Sequence, residues 1–390
     1  MPRSTTATLV LALALAPALG LLPGIGHAQP ATQAPKAPAV TAVALAGGLE
    51  NPWGMAFLPD FERDGRVLVT ERPGRLRIVD TRSGQVGPPV EGVPAVAARG
   101  QGGLLDVSLH PQFATNRLVY LSYSEPDAAN PSTNSTAVAR GRLEGNRLTD
   151  VQVIYRQMPR VSSSHHFGSR LVWDRDGRLF VTLGDRFSRR DDAQTLDNDH
   201  GKIVRIEADG RVPADNPFVG RTGARGEIWT LGHRNVQGAA LHPVTGELWA
   251  HEHGAQGGDE LNVITKGRNY GWPVITTAKE YVTGFTIGEG SERAGIEAPI
   301  RNWVPRSIAP SGMAFITGDR YPGWQGSLLI GALRGEALVR LVLDGRQVLR
   351  EERVLEGQGR VRDVRQGPDG FVYLLTDARD GRLLRVTPAP

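Results

Sequence analysis

"GSRLVWDRDGRLFVTLGD", residues 168–185, decides the fold. Short apolar runs flank a polar "DRDG" turn, the pattern of two antiparallel strands joined by a tight Asp-Gly turn. The same unit recurs as "GMAFLPDFERDGRVLVTE" from Gly54 and "GLLDVSLHPQFATNRLVYLSY" from Gly103. It returns as "GAALHPVTGELWAHEHG" from Gly238, "GMAFITGDRYPGWQGSLLIGAL" from Gly312 and "DVRQGPDGFVYLLTD" from Asp363. Several copies run on into another alternating strand, among them "GRLRIVD", "ALVRLVLDG" and "GRLLRVTPAP". A spacing of about 50 to 75 residues suits four strands with loops of variable length, and radially repeated sheets of this kind form a propeller. The reading is therefore all-β: a six-bladed β-propeller of four-stranded antiparallel blades over 41–390. The first strand, near residue 41, is expected to complete the last blade. A solenoid of stacked sheets is the competing architecture. Outside the first residues, no segment sustains helical periodicity.

Those first residues read as a signal peptide over 1–28. Arg3 supplies a positive start, "ATLVLALALAPALGLLPG" an apolar run broken by Pro17, and Gly26-His27-Ala28 a small-residue cleavage site. Residues 29–40, rich in Pro and Ala, read as a flexible leader. A periplasmic location is expected, with no membrane span, since no other stretch approaches ~18 apolar residues. With no cysteine in the chain, packing or bound ions must supply stability in an oxidising compartment. The formal charge of +4 over 390 residues is too mild for a nucleic-acid footprint. Almost every cation is Arg.

Chemistry-bearing residues cluster where loops join the repeats. "SSSHHFGSR", 162–170, contains two adjacent histidines. An imidazole suits proton transfer near neutrality. On an extended strand His165 and His166 would point to opposite faces and could not share an ion. In "GRVRDVRQGPDG", Arg360 and Arg362 alternate and so would share one face. His251 and His253 would also share a face, a weak zinc alternative lacking a third ligand. Other unusual loops are "RGQGGLLD" at 99–106, "LGDR" at 183–186, "GHRNVQG" at 232–238, "HEHGAQGGDE" at 251–260, "GRNYGWP" at 267–273 and "GALRGE" at 331–336.

Taken in order, these motifs resemble the soluble quinoprotein sugar dehydrogenases, in particular their aldose sugar dehydrogenase branch. The resemblance runs from "NPWGMAFLPD" to "GPDGFVYLLTD". It implies an enzyme that oxidises the anomeric hydroxyl of aldoses to lactones with pyrroloquinoline quinone (PQQ) and Ca2+, passing electrons to an external acceptor such as a quinone, dye or cytochrome. By resemblance His166 is the base, and His165 an orienting or lining neighbour. Arg234 and Asn235 contact the quinone oxygens, Gln101 makes a polar contact, and Asp185 and Tyr281 line the cofactor pocket. Arg334, Arg360 and Arg362 would hold the carboxylates. Arg334 stands where the family usually has lysine. The Gly254 and Ala255 carbonyls would hold the Ca2+ that bridges PQQ, with Ala255 replacing a common proline. The Glu260 carboxylate and Tyr270 carbonyl would hold a second, structural Ca2+. The expected state is monomer or homodimer.

Two other functions fit the same fold, since propellers host many. A calcium-dependent hydrolase or lactonase would need several carboxylates or amides converging on one channel ion. A non-catalytic binding propeller would need none of the residues above. Sugar selectivity is expected from the loops 124–136 and 275–297.

Overall fold

The computed structural model describes residues 39–389; the expected signal peptide and all but the end of the expected leader lie outside the described residues. Six four-stranded antiparallel sheets follow one another along the chain. Blade 1 runs from Pro52–Phe57 to Val86–Pro89, blade 2 from Leu104–Leu109 to Arg147–Arg156, and blade 3 from Leu171–Trp173 to Ile228–Leu231. Blade 4 runs from Val236–Leu241 to Arg301–Trp303, and blade 5 from Pro310–Phe315 to Gln347–Glu356. Blade 6 comprises Val361–Gln366, Val372–Thr376 and Gly381–Pro388, and its outer strand is Val40–Leu49, the first among the described residues. Val40 pairs with Pro388 and Leu49 with Gly381, so the ring is closed by hydrogen bonds between the first and last described strands. The innermost strands pack on one another around the ring, 361–366 returning to 52–57. That is a β-propeller, and a solenoid is excluded.

The core lies between blades. Leu58, Leu68 and Leu76 of blade 1 pack on Leu104, Val119 and Leu121 of blade 2. Trp249 and Leu261 of blade 4 meet Met313, Leu328 and Val339 of blade 5. Each such side chain contributes about 1.5–3 kcal/mol on burial. The inner strands must approach more closely than a core side chain permits, which explains the small residue opening the repeats. A Cβ on Gly54 would sit 2.6 Å from Asp106 of the next blade, and one on Gly312 would sit 2.5 Å from Asp363. Those aspartates fasten the next junctions: Asp106 accepts from the Leu171 N–H and Asp363 from the Met55 N–H, each at 3.0 Å. Helix is confined, among the described residues, to Phe61–Asp64, Phe113–Asn116 and a 3-10 turn at Arg190–Gln194. No helix there is long and apolar enough to cross a membrane.

Candidate active site

The loops entering each inner strand and those leaving each second strand open on the same end of the ring. Gln101 precedes blade 2, His166 precedes blade 3, and Arg234 and Asn235 precede blade 4. Asp185 and Gly254 follow second strands, and Arg334 follows Leu328–Ala332.

His166 is buried at the floor of a cavity of about 220 Å3, whose walls include Asp185, Phe187, Arg234, Ala255, Trp272 and Tyr281. Its Nδ1 lies 2.6 Å from Asp185 Oδ1. With the carboxylate accepting, Nδ1 carries the proton and Nε2 is left as the basic nitrogen. Burial, then the nearby charge of Arg234, holds the His166 imidazole below its usual range, against the opposing pull of Asp185. Burial opposes ionisation of Asp185, yet its bonds to His166 and the charge of Arg234 keep it below the usual carboxylate range. The other Asp185 oxygen accepts from Trp272 Nε1 at 2.8 Å.

The backbone here is not the extended strand expected from sequence. His166 sits at φ 51°, in a loop, with its N–H donated to Gln101 Oε1 at 2.8 Å. Gly184 backs it so closely that a Cβ there would lie 2.0 Å from the His166 carbonyl oxygen. His165 does not orient His166. It is exposed, its Nδ1 lies 3.2 Å from Ser164 Oγ, and Asp185 does the orienting instead.

Arg234 is placed by Glu252, which accepts its backbone N–H and also binds His233 Nδ1 at 2.9 Å. The guanidinium donates to the carbonyls of His253 and Gly254 and, at 3.2 Å, to the Tyr281 hydroxyl. It lies 5.1 Å from the Trp272 ring centre. A cation bound at the Gly254 carbonyl would therefore displace Arg234 from it.

Arg362 and Arg360 do share a face, as both reach Asp377. Arg362 Nη2 is 2.8 Å and Arg360 Nη2 3.6 Å from Asp377 Oδ2. Arg362 is buried and also donates to Gln237 Oε1 at 2.7 Å. Arg360 donates to the Leu333 carbonyl, beside exposed Arg334. Tyr281 is half exposed at the cavity lip.

Below Arg234 a void of about 10 Å3, room for a single water-sized particle, is bordered by Glu252, Gly254, Glu260 and Tyr270. Burial, then the charge of Glu252, pushes the Glu260 carboxyl well up. Among the described residues no three His, Cys, Asp or Glu side chains converge as a metal cluster. His253 Nε2 donates to the Pro310 carbonyl instead, at 2.7 Å.

Sequence reading did not single out Trp272, Glu252, Gln237, Asp377 or Phe187. Trp272 stood within a quoted loop, "GRNYGWP", and a tryptophan in a polar loop beside glycine is the signal that was there to use.

A propeller whose ring mouth holds a carboxylate-oriented histidine next to a buried arginine defines a pocket equipped for proton transfer, and comparison with known proteins gives the class: sugar dehydrogenases. The family model Glucose / Sorbosone dehydrogenase matches residues 49–385, and the chain belongs to that family. It is 46% identical over 345 residues to the aldose sugar dehydrogenase YliI of Escherichia coli K12, covering 87% of this chain and 91% of that protein. A glucose dehydrogenase crystal structure superposes with TM-score 0.85 at 49% identity, covering 90% of this chain and all of the other. The PQQ-bound aldose sugar dehydrogenase of Streptomyces coelicolor superposes with TM-score 0.72 at 29% identity, covering 90% of this chain and all of that one. The protein is a sugar dehydrogenase.

Proposed function

We propose that this dehydrogenase oxidises the anomeric hydroxyl of aldoses to lactones, using PQQ and Ca2+, and hands the electrons to an external acceptor. The observation that carries the reading is the His166–Asp185 pair, which leaves Nε2 free at the floor of a cavity walled by Arg234. The donors suit a carboxylate- and carbonyl-rich cofactor. Arg234 Nε, Asn235 Nδ2 and Arg362 Nε are buried without a hydrogen-bond partner, and unpartnered buried donors are costly unless a ligand uses them. Gln101, Asn235, Tyr281 and the Arg334, Arg360 and Arg362 group would hold PQQ, arginine being suited to paired carboxylate contacts. When bound there, PQQ supplies a quinone carbonyl able to take up a hydride.

The chain's own part is to bind the sugar with its C1 hydroxyl at His166 Nε2, which takes the hydroxyl proton as the C1 hydride leaves. Asp185 fixes the tautomer and supports the imidazolium. Arg234 stabilises negative charge opposite. The Gly254 and Ala255 carbonyls would hold one Ca2+ once Arg234 releases Gly254. The void at Glu260 and the Tyr270 carbonyl would hold the structural Ca2+, which takes carboxylate and carbonyl oxygen ligands. The first 28 residues direct export to the periplasm on the same reading.

The test is dye-linked oxidation of a panel of aldoses by protein freed of cofactor, with PQQ and Ca2+ added singly and together. Activity only with both is expected, and His166→Ala should lower turnover by 10²–10⁴-fold while retaining PQQ binding. Turnover within a few-fold of wild type would remove His166 as base. Absence of PQQ binding in an absorbance titration would overturn the cofactor.

A further inference from the structure

Two large apolar side chains of the cavity wall, Phe187 and Ile287, have no part in the assignments above, and of the two Ile287 is buried in the wall while Phe187 is exposed. It is 52% exposed, although it follows Asp185 by only two residues and adjoins the base. Its ring centre lies 5.3 Å from that of His166, with the two planes at 77°, and 5.5 Å from His165. Its backbone is also unusual. Arg186 and Phe187 stand consecutively at φ 56° and 64°, a left-handed conformation unfavourable for bulky residues and one that tends to be kept where function requires it.

The surroundings hold it there from both sides. Asp185 Oδ1, the oxygen that binds His166, also accepts the Phe187 N–H at 2.8 Å. The Arg186 guanidinium is buried, donating to Asn134 Oδ1 at 2.6 Å and to the Ser163 carbonyl at 2.7 Å, and stacks 4.0 Å over Phe167. One carboxylate oxygen therefore sets both the base and the aromatic ring, and a strained loop presents that ring to the cavity rather than to the core.

We infer that Phe187 is a substrate-contacting, specificity-determining residue: the platform on which the apolar face of the sugar ring lies while its anomeric hydroxyl meets His166. The inference rests on His166 being the base. A ring lying flat on Phe187 stands nearly perpendicular to the imidazole plane and turns an edge hydroxyl toward it. The rest of the sugar then projects toward the Arg190–Glu280 ion pair, 2.7 Å long, which spans the cavity's outer lip. A guanidinium and a carboxylate side by side offer donors and acceptors to neighbouring hydroxyls. Selectivity for pyranoses over open-chain polyols follows from the platform.

Phe187→Gly separates this role from a structural one, because glycine adopts positive φ without penalty. The variant should melt no lower than wild type and bind PQQ with affinity within twofold. Its KM for an aldopyranose should rise about tenfold with kcat within threefold, the scale of one lost aromatic contact. The inhibition constant of a 1,5-anhydrohexitol, which has the ring but no anomeric hydroxyl, should rise in parallel. Phe187→Trp should keep both constants within threefold. Unchanged KM and inhibition constant in the folded glycine variant would overturn the inference, as would a loss of PQQ affinity or an effect confined to the KM of the electron acceptor. If His166→Ala keeps its turnover while Phe187→Gly still raises KM, the base assignment and the orientation toward His166 fail, and only the sugar contact at Phe187 stands.

Discussion

Two buried ionic clusters lie near the propeller axis, and they are built on opposite plans. At the first, Arg170 enters blade 3 and engages all three of its guanidinium nitrogens. Nε donates to the Gln237 carbonyl of blade 4, Nη1 meets Asp106 of blade 2 and Asp363 of blade 6, and Nη2 donates to the Arg362 carbonyl. Its guanidinium also lies 4.1 Å over Trp53 of blade 1. Arg365 adds a second cation to the same two aspartates. At the second cluster, around His166 and Arg234, donors are left without partners, the backbone is held at positive φ, and a cavity opens above. In the cluster that ties the ring together every nitrogen of the central guanidinium is engaged and two arginines face two aspartates; in the one that handles a ligand, donors are left free beside a cavity. Charge and burial alone do not tell the two apart, since both are rich in arginine and carboxylate.

The contrast can be broken at its closed half first. Arg170→Leu would leave Asp106 and Asp363 buried with one cation fewer, and removing one partner from such a cluster costs about 3–5 kcal/mol. Chemical denaturation should show that loss with or without PQQ. A stability change below about 1 kcal/mol would mean the hub is not what holds five blades in register. At the open half the ranking reverses, with activity lost and stability kept. Asp185→Asn keeps the shape but removes the negative charge that supports the His166 imidazolium and sets an amide donor against one of the donors the carboxylate now accepts from. Turnover should fall about 10²–10³-fold, with a melting temperature close to wild type. A drop of less than tenfold would show that Asp185 is only a packing partner of Trp272.

Arg362 belongs to both plans, since its carbonyl serves the hub and its side chain faces Gln237 and Asp377. Arg362→Ala should weaken PQQ binding about 10- to 100-fold, the worth of one or two charge-assisted hydrogen bonds, while the saturated enzyme slows less. Unchanged affinity would assign Arg362 wholly to the hub.

How much of this was legible in the sequence follows from how local each signal is. The blades are written in short-range terms: alternation within five residues and turns such as "DRDG", so their number and order could be read directly. The pairing of Val40–Leu49 with the last strand was foreseeable because a ring of six identical units leaves one strand short. His166 and Arg234 were legible through motif resemblance. The partnership of Asp185 with Trp272 spans 87 residues and is set by how blades 3 and 4 meet, which no local pattern encodes. Arg170 was equally silent: one arginine in "GSR" looks like any other until five blades close around it. Phe187 was hidden by its backbone, because sequence gives no sign that a phenylalanine will sit at positive φ.

The smallest expected effect concerns pH, and it tests the open cluster without altering it. The His166 imidazole is held below the usual value of 6.5, by burial first and then by Arg234, so it stays neutral and basic as pH falls through 6.5. The acid limb of kcat/KM should therefore lie below pH 6.5, with less than a tenfold loss between pH 7 and 6. Folding excludes a proton that the unfolded chain would bind, so this histidine's contribution to stability is present above 6.5 and is lost as pH falls toward the folded value. Both effects share one sign. They are separable in Asp185→Asn: without the carboxylate's charge, which raises the imidazole's affinity for protons, any residual activity should carry an acid limb displaced further down. A limb at or above 6.5 in the wild type would mean that the buried His166 imidazole is not the group that sets it.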